Sequence, residues 1–134
     1  MLAAHGAAPS QVSYNGAVSV MNQVSAWMTE TSHGLISAPA TVTPFLSVAA
    51  PSNCNNPYSF LMSAVNAART AGYNYLNYEH VITYTPGCWS GGLGEVGGSN
   101  VWIYNYGFTL GVITHELGHN FGLYHANTLE CPGN

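Results

Sequence analysis

Three histidines near the end of the chain have the spacing of ligands to a single metal ion. They lie in the sequence HELGHNFGLYH, residues 115–125. His115 and His119 are four residues apart, so on a helix their imidazoles lie on one face, one turn apart. Gly122 allows the chain to leave that helix with a positive φ, which brings His125 back as a third nitrogen ligand. Three protein ligands leave one position of a tetrahedral zinc ion open, as in catalytic zinc sites.

Glu116 occupies the position that a general base needs in such a site. It follows His115, about 100° further round the helix, so its carboxylate can approach the metal without being a ligand. Zinc lowers the pKa of its bound water toward about 7, and a nearby carboxylate can accept the proton as that water attacks a carbonyl. The pattern therefore predicts metal-assisted hydrolysis, with Glu116 returning the proton to the leaving amine.

The residues before the motif predict the helix that must carry it. Thr109 is a suitable N-cap. Leu110, Ile113 and Leu117 recur at the spacing of one helix face. His115 lies roughly opposite this apolar stripe, so one side of the helix can be buried while the other presents ligands to a cleft. A helix that carries histidines by coincidence is the alternative explanation of the motif.

Several segments resemble the metzincin family of zinc metallopeptidases. The segment THELGHNFGLYHA (114–126) resembles the metzincin active-site helix and its exit. Three further segments are most similar to the gametolysin-like branch: WMTETSHG (27–34), PGCWSGGLGEVGG (86–98) and VWI (101–103). The resemblance covers residues 24–126. It implies a zincin-like fold, one catalytic zinc and a secreted endopeptidase that acts on extracellular or cell-wall proteins in an extended conformation.

The sequence departs from the metzincin pattern after His125. Metzincins complete the site with a methionine-containing turn downstream of the third histidine. All four methionines of this chain lie upstream of it, at Met1, Met21, Met28 and Met62. Residues 1–13 contain no clear first strand. We therefore expect residues 1–134 to form a single catalytic N-terminal subdomain that is incomplete at both ends.

The composition excludes nucleic acid and a membrane as partners. The chain has one Lys+Arg, which is Arg69, against five Asp+Glu, and only 4% of its residues are charged. Nucleic-acid binding requires a basic surface, which this chain cannot form. Its apolar runs are too short to span a bilayer. Residues 1–13 lack the basic start and apolar core of a signal peptide, so secretion is implied by the resemblance alone.

We assign no chemistry to the three cysteines or to the histidines outside the motif. An odd number of cysteines in a secreted protein suggests a lost partner or a free thiol, and unpaired thiols without a role are the alternative. The cysteines are Cys54, Cys88 and Cys131. Single histidines are more often surface or core residues than ligands. Those outside the motif are His5, His33 and His80.

The rest of the chain predicts a mixed α+β fold. Apolar spacing predicts a helix over 15–31, and Gly34 follows it as a stop signal. Asn56 and Pro57 predict the N-cap and first residue of a second helix, which Gly72 ends. Alternating or β-branched segments predict extended structure at 35–49, 78–85, 91–98 and 100–105. The order suggests helices packed on a mixed, twisted sheet, with the active-site helix last.

The glycine-rich segment 91–98 is a candidate substrate-binding strand. An edge strand with small side chains leaves its backbone open to pair with an extended peptide. In metzincins the corresponding strand lines the cleft, so the resemblance implies this role. The candidate residues are Gly92, Leu93, Gly94, Glu95 and Val96. A flexible glycine-rich hairpin without a role in binding is the alternative.

Two other functions stay open at this level. The first is a module that binds zinc but does not catalyse hydrolysis. The second is a non-catalytic secreted domain with a structural or adhesive role, in which the motif is fortuitous. Zinc stoichiometry and a peptide-cleavage assay distinguish these two from an enzyme.

Overall fold

A computed structural model describes residues 3–4, 12–49, 53–88 and 90–125 of the chain. The α-helices are α1 (Tyr14–Thr31), α2 (Pro57–Thr70) and α3 (Leu110–Asn120). The strands are β1 (Ala3–Ala4), β2 (Leu46–Ser47), β3 (Val81–Thr85), β4 (Gly91–Gly94) and β5 (Asn100–Tyr104). Short 3-10 helices occur at Tyr75–Asn77 and Asn105–Gly107. Within these residues no helix has the length and apolar character needed to cross a membrane.

The main sheet has three strands in the order β3-β5-β4. β3 and β5 are parallel, whereas β4 is antiparallel to β5, so the sheet is mixed as the sequence predicts. β4 has β5 as its one neighbour among the described strands and forms an edge of the sheet. The expectation that residues 1–13 hold no strand is wrong to the extent of β1, which pairs with β2 in parallel over two residues.

Helices cover both faces of this sheet. Along β5, Val101 and Ile103 pack with α1 and α3 in the larger apolar cluster. Trp102 and Tyr104 point the other way and pack with Leu61 and other residues of α2. All four of these β5 side chains are buried. This alternation makes β5 the centre of three layers and confirms the α+β class.

Local capping chemistry sets the ends of α1 and α2. The Ser13 hydroxyl accepts a hydrogen bond from the Gly16 amide at 3.0 Å and begins α1. Asn56 caps α2, and Pro57 is its first residue. α1 and α2 are followed by Gly34 and Gly72, whose φ angles of 80° and 91° suit glycine. The two predicted helices are therefore confirmed to within a residue or two.

The predicted extended segments are only partly strands. Most of 35–49 is irregular, with β2 as its one short strand, since prolines at 39 and 44 cannot donate to a sheet ladder. The strand predicted over 78–85 begins only at Val81, after a 3-10 turn that the Asn74 side chain caps. The strand predicted over 91–98 ends at Gly94, and residues 95–99 form the turn to β5.

One disulfide connects two loops. Cys54 and Cys88 are bonded, with Cα atoms 5.3 Å apart. The bond joins the loop before α2 to the loop between β3 and β4, so neither cysteine is the free thiol that the sequence left open. Cys131 lies outside the described residues.

Candidate metal and active site

The three predicted ligands converge on one point above α3. The Nε2 atom of His125 lies 3.2 Å from Nε2 of His115 and 3.2 Å from Nε2 of His119. The ligand atoms of the three side chains all lie within 4.8 Å of one another. Gly122 has a φ of 85° and turns the chain back toward the helix, as the sequence predicts.

This spacing fits a zinc ion. Zinc–nitrogen bonds of about 2.0–2.1 Å in a tetrahedral arrangement place two ligand nitrogens about 3.3 Å apart. The observed 3.2 Å between the Nε2 atoms of His125 and each partner is close to that value. Three neutral imidazoles are also the donor set of a catalytic zinc site. His115 and His125 are exposed, which leaves room for a water and a substrate carbonyl.

The ring of His119 is fixed by a backbone partner. Its Nδ1 atom lies 2.6 Å from the carbonyl oxygen of Leu123. Because a carbonyl oxygen can only accept, Nδ1 must carry the proton and donate it. The lone pair of His119 is then on Nε2, the atom that faces His125. Contacts of this kind orient metal ligands and increase their basicity.

Glu116 lies between the histidines and the edge strand. Its side chain is 7% exposed and packs against Gly92 of β4. A Cβ atom added at Gly92 would lie 2.6 Å from Cγ of Glu116 and 2.9 Å from its Oε1. The carboxylate is therefore held where β4 and α3 meet, beside the ligands of the predicted site.

The glycines of β4 allow this close approach. Gly92 and Gly94 both face α3, because they alternate with Leu93 along the strand. A Cβ atom at Gly94 would overlap the carbonyl oxygen of Glu116 and lie 3.1 Å from Cβ of His119. The sequence suggested an open or flexible strand here, whereas the structure gives these two glycines a packing role.

The same two glycines direct their main-chain groups to the open edge. Residues opposite each other in antiparallel strands alternate between pairs that exchange hydrogen bonds and pairs that do not. The Glu95 amide donates to the Asn100 carbonyl at 3.1 Å, so this pair belongs to the first kind. In this register Leu93 bonds to Trp102, and the N–H and C=O groups of Gly92 and Gly94 point away from β5.

The carboxylate of Glu95 closes the turn between β4 and β5. It accepts hydrogen bonds from the Ser99 amide at 3.0 Å, from the Asn100 amide at 2.9 Å, and from the Tyr58 hydroxyl. Burial raises the pKa of Glu95, but these hydrogen bonds lower it by more, so the net shift is downward. The Glu95 carboxylate is thus engaged within the protein, and its main-chain N–H and C=O bond to Asn100 and Asn120, so nothing in this geometry supports the predicted contact of Glu95 with substrate. The exposed Val96 lies in the same turn.

Two polar residues near the site are not indicated by the sequence pattern. Tyr58, at the start of α2, bonds to Glu95 and packs edge-to-face on Trp102 with ring centroids 5.1 Å apart. Asn120 lies at a position of the motif that has no fixed residue, and its polar side chain is nonetheless buried, with 6% exposed. The sequence of a helix does not show whether a polar residue on it is buried, because burial depends on which distant segment packs against that face.

The comparison with known families agrees with this geometry. The model of the astacin family of peptidases matches residues 64–129, just under half of the chain. The match supports a metzincin-type zinc metallopeptidase. It covers β3, β4, β5, α3 and all three histidines, and a zincin-like fold agrees with the observed α+β arrangement. No curated protein and no solved structure matches the chain significantly.

The comparison names a different metzincin family from the one that the sequence segments resemble. The gametolysin-like assignment is therefore not confirmed, whereas the broader metzincin assignment is supported. The histidine triad could hold a metal ion, as the family match implies.

Proposed function

We propose that this protein is a zinc-dependent endopeptidase. The observation that supports it most directly is the convergence of three Nε2 atoms, at 3.2 Å for both pairs that include His125, beside the carboxylate of Glu116. His115, His119 and His125 would hold one zinc ion, and Glu116 would be the general base. A structural zinc site would have four protein ligands, and no fourth donor joins the triad within the described residues.

Zinc, when bound, supplies a Lewis acid that activates a water and polarises the scissile carbonyl. Glu116 accepts the proton of the attacking water and delivers it to the leaving amine. Its contact with Gly92 limits the rotamers of the carboxylate, so the proton is accepted and released at one place. Leu123 keeps His119 in the tautomer that presents Nε2.

The substrate would bind along the free edge of β4. An extended peptide can add to this edge by bonding to the main chain of Gly92 and Gly94, and the exposed Val96 would continue the contact. Leu93 is 46% exposed and offers an apolar contact to a substrate side chain. Because the same glycines touch Glu116 and His119, a peptide bond held there would lie next to the base and the metal.

The resemblance to gametolysin-like enzymes extends the proposal to secretion and to extracellular or cell-wall protein substrates. Residues 1–134 would form a metzincin-like catalytic N-terminal subdomain. The composition supports the exclusion of nucleic acid as a partner, since Arg69 is the single Lys or Arg of the chain.

Metal analysis and a cleavage assay test the proposal together. Purified protein should bind one zinc per chain and hydrolyse an unstructured peptide only when loaded. One zinc per chain without hydrolysis of any peptide tested would identify a zinc-binding module without catalysis. Absence of zinc binding would favour a structural or adhesive domain with a fortuitous motif.

A further inference from the structure

The side chain of Asn120 bonds to two separate segments of the chain. Its Nδ2 donates to the carbonyl oxygens of Glu95 and Asn100, at 2.9 and 3.1 Å. Its Oδ1 lies 3.1 Å from Nδ1 of His80. Asn120 is the last residue of α3. Of its three partners, Glu95 lies in the β4–β5 turn, Asn100 begins β5, and His80 lies just before β3.

The orientation of the Asn120 amide follows from its partners. Two carbonyl oxygens can only accept, so the NH₂ group must face Glu95 and Asn100. The Oδ1 atom is then the acceptor, and Nδ1 of His80 must be the donor. Both amide hydrogens and the amide oxygen are thus used, which is what a buried polar side chain requires.

The β4–β5 turn is also bonded to the backbone of α3. The Gly97 amide donates to the carbonyl oxygen of His119 at 2.8 Å. The Glu95 carboxylate holds the turn in shape from inside, through the amides of Ser99 and Asn100. The last turn of α3 therefore bonds to the connection between β4 and β5 through three hydrogen bonds, two donated by Asn120 and one accepted by His119.

Asn120 lies between two zinc ligands along the chain. His119 precedes it, and the turn at Gly122 that leads to His125 follows two residues later. We propose that Asn120 is a positioning residue that locks the edge strand β4 to the metal-binding end of α3. It keeps the substrate edge and the second and third histidines in one rigid frame. Both parts rest on the proposed function, the first on peptide binding at β4 and the second on zinc binding by the three histidines.

A purely structural Asn120 would behave differently from a positioning one. Loss of an ordinary buried hydrogen-bonded residue lowers the global free energy of unfolding, which accelerates exchange of those amides that exchange through global unfolding. Loss of the proposed lock acts locally, on the β4–β5 turn and on the metal site. The test therefore compares local with global readouts.

The experiment uses Asn120→Ala in the full chain, with the exposed α2 residue Asn66→Ala as the matched control. We expect zinc affinity, measured by competition with a chromophoric chelator, to fall about 10- to 100-fold in Asn120→Ala. We also expect exchange of the Gly97 amide to accelerate at least about tenfold relative to amides of α1. Asn66→Ala should change neither quantity.

A pair of substitutions at His80 gives the same test without altering α3. His80→Ala removes the donor to Asn120 and should accelerate Gly97 exchange and weaken zinc binding by a smaller factor. His80→Asn restores an N–H donor close to the position of Nδ1 and should recover both. This pair decides the matter if Asn120→Ala does not fold. Cobalt-substituted protein should show a shifted d–d spectrum in each weakened variant and the original spectrum in His80→Asn.

Three results would overturn the proposal. The first is zinc affinity within threefold of the original in folded Asn120→Ala. The second is exchange that accelerates equally in α1 and in the β4–β5 turn. The third is failure of His80→Asn to differ from His80→Ala. A chain that binds zinc but cleaves no peptide would contradict the proposed function, yet these three readouts would still be decisive, since none of them requires turnover.

Discussion

Gly92 and Glu116 are in direct contact across the junction of β4 and α3. A Cβ atom at position 92 would lie 2.6 Å from Cγ of the glutamate. The strand that is predicted to bind substrate and the residue that is predicted to activate water therefore form one packed unit. A movement of β4 would displace the Glu116 carboxylate, so the proposed catalysis requires a small residue at position 92.

Substitution of the β4 glycines should displace the strand. Gly94→Ala introduces a methyl group into the space of the Glu116 carbonyl, and Gly92→Ala introduces one against the Glu116 side chain. We expect each to destabilise the fold by about 1–3 kcal/mol, the range for overpacked sites, with Gly94→Ala the worse because backbone cannot rotate away. Urea denaturation measures this.

Gly111→Ala is the matched control for these two changes. A Cβ atom there meets nothing within 4 Å, and the residue lies inside α3. Alanine should stabilise the helix by up to about 1 kcal/mol. Equal effects of Gly111→Ala and Gly94→Ala would contradict the close-packing role of β4.

Removal of the central ligand should abolish tight zinc binding. His119→Ala leaves two histidines and also removes the Nδ1–Leu123 contact. We expect near-stoichiometric zinc in the original protein and none in this variant after dialysis, measured by atomic emission. His33→Asn is the control, because His33 is exposed and has a φ of 52°, which asparagine tolerates. Retention of one zinc in His119→Ala would exclude this residue as a ligand.

The Glu116 substitution separates binding from chemistry. Glu116→Gln keeps the shape of the side chain and its contact with Gly92 but removes the base. We expect unchanged zinc content and a loss of peptide hydrolysis of about 10²- to 10⁴-fold or more, the usual contribution of a general base. Hydrolysis within a fewfold of the original would assign the base to another group.

Reduction of the disulfide should weaken the fold markedly. The bond between Cys54 and Cys88 closes a loop with a sequence separation of 34 residues. A loop of that size predicts a loss of about 3–4 kcal/mol in the free energy of unfolding when the bond is reduced. Denaturation with and without a reductant measures it. Identical midpoints would mean that the bond does not constrain the unfolded chain.

The acid stability of the protein should depend on Glu95. The hydrogen bonds from Tyr58, Asn100 and Ser99 lower the pKa of Glu95 below its usual value, against the opposing effect of burial. A carboxyl with a lower pKa in the folded state adds stability above its unfolded pKa, and this stability is lost as the pH falls through the folded pKa.

Glu95→Gln should therefore unfold more easily at neutral pH, by about 1 kcal/mol given the partial exposure of the side chain. It should also lose less stability than the original between about pH 5 and about pH 3. Glu30→Gln, exposed on α1, provides the control. Parallel pH profiles for Glu95→Gln and the original protein would contradict the prediction.

Local chemistry explains what the sequence could predict. Thr109 caps α3, Asn56 caps α2, and Gly122 turns the chain back to His125, because each of these roles depends on a few neighbouring residues. The clustering of the three histidines was predictable for the same reason. Roles that depend on distant segments were not predictable, since sequence spacing does not indicate what packs opposite.

Three features illustrate that limit. The partner of Cys54 depends on the path of two loops, and no spacing rule identifies Cys88. Asn120 has partners 20, 25 and 40 residues away, and these contacts exist only once the sheet and α3 have docked. Prolines that interrupt 35–49 indicated weak strand formation, but not that only two residues there would pair.

Among the described strands β4 pairs only with β5, so its other edge can also pair with a second copy of the protein. A strand with one neighbour can accept any extended chain, including a loosened segment of a second copy. The few charged side chains of this protein offer little repulsion against such pairing. The shortness of β4, four residues, limits how firmly another chain can attach. We therefore expect the protein to inhibit itself competitively at high concentration, because one copy would occupy the β4 edge of another and exclude substrate there.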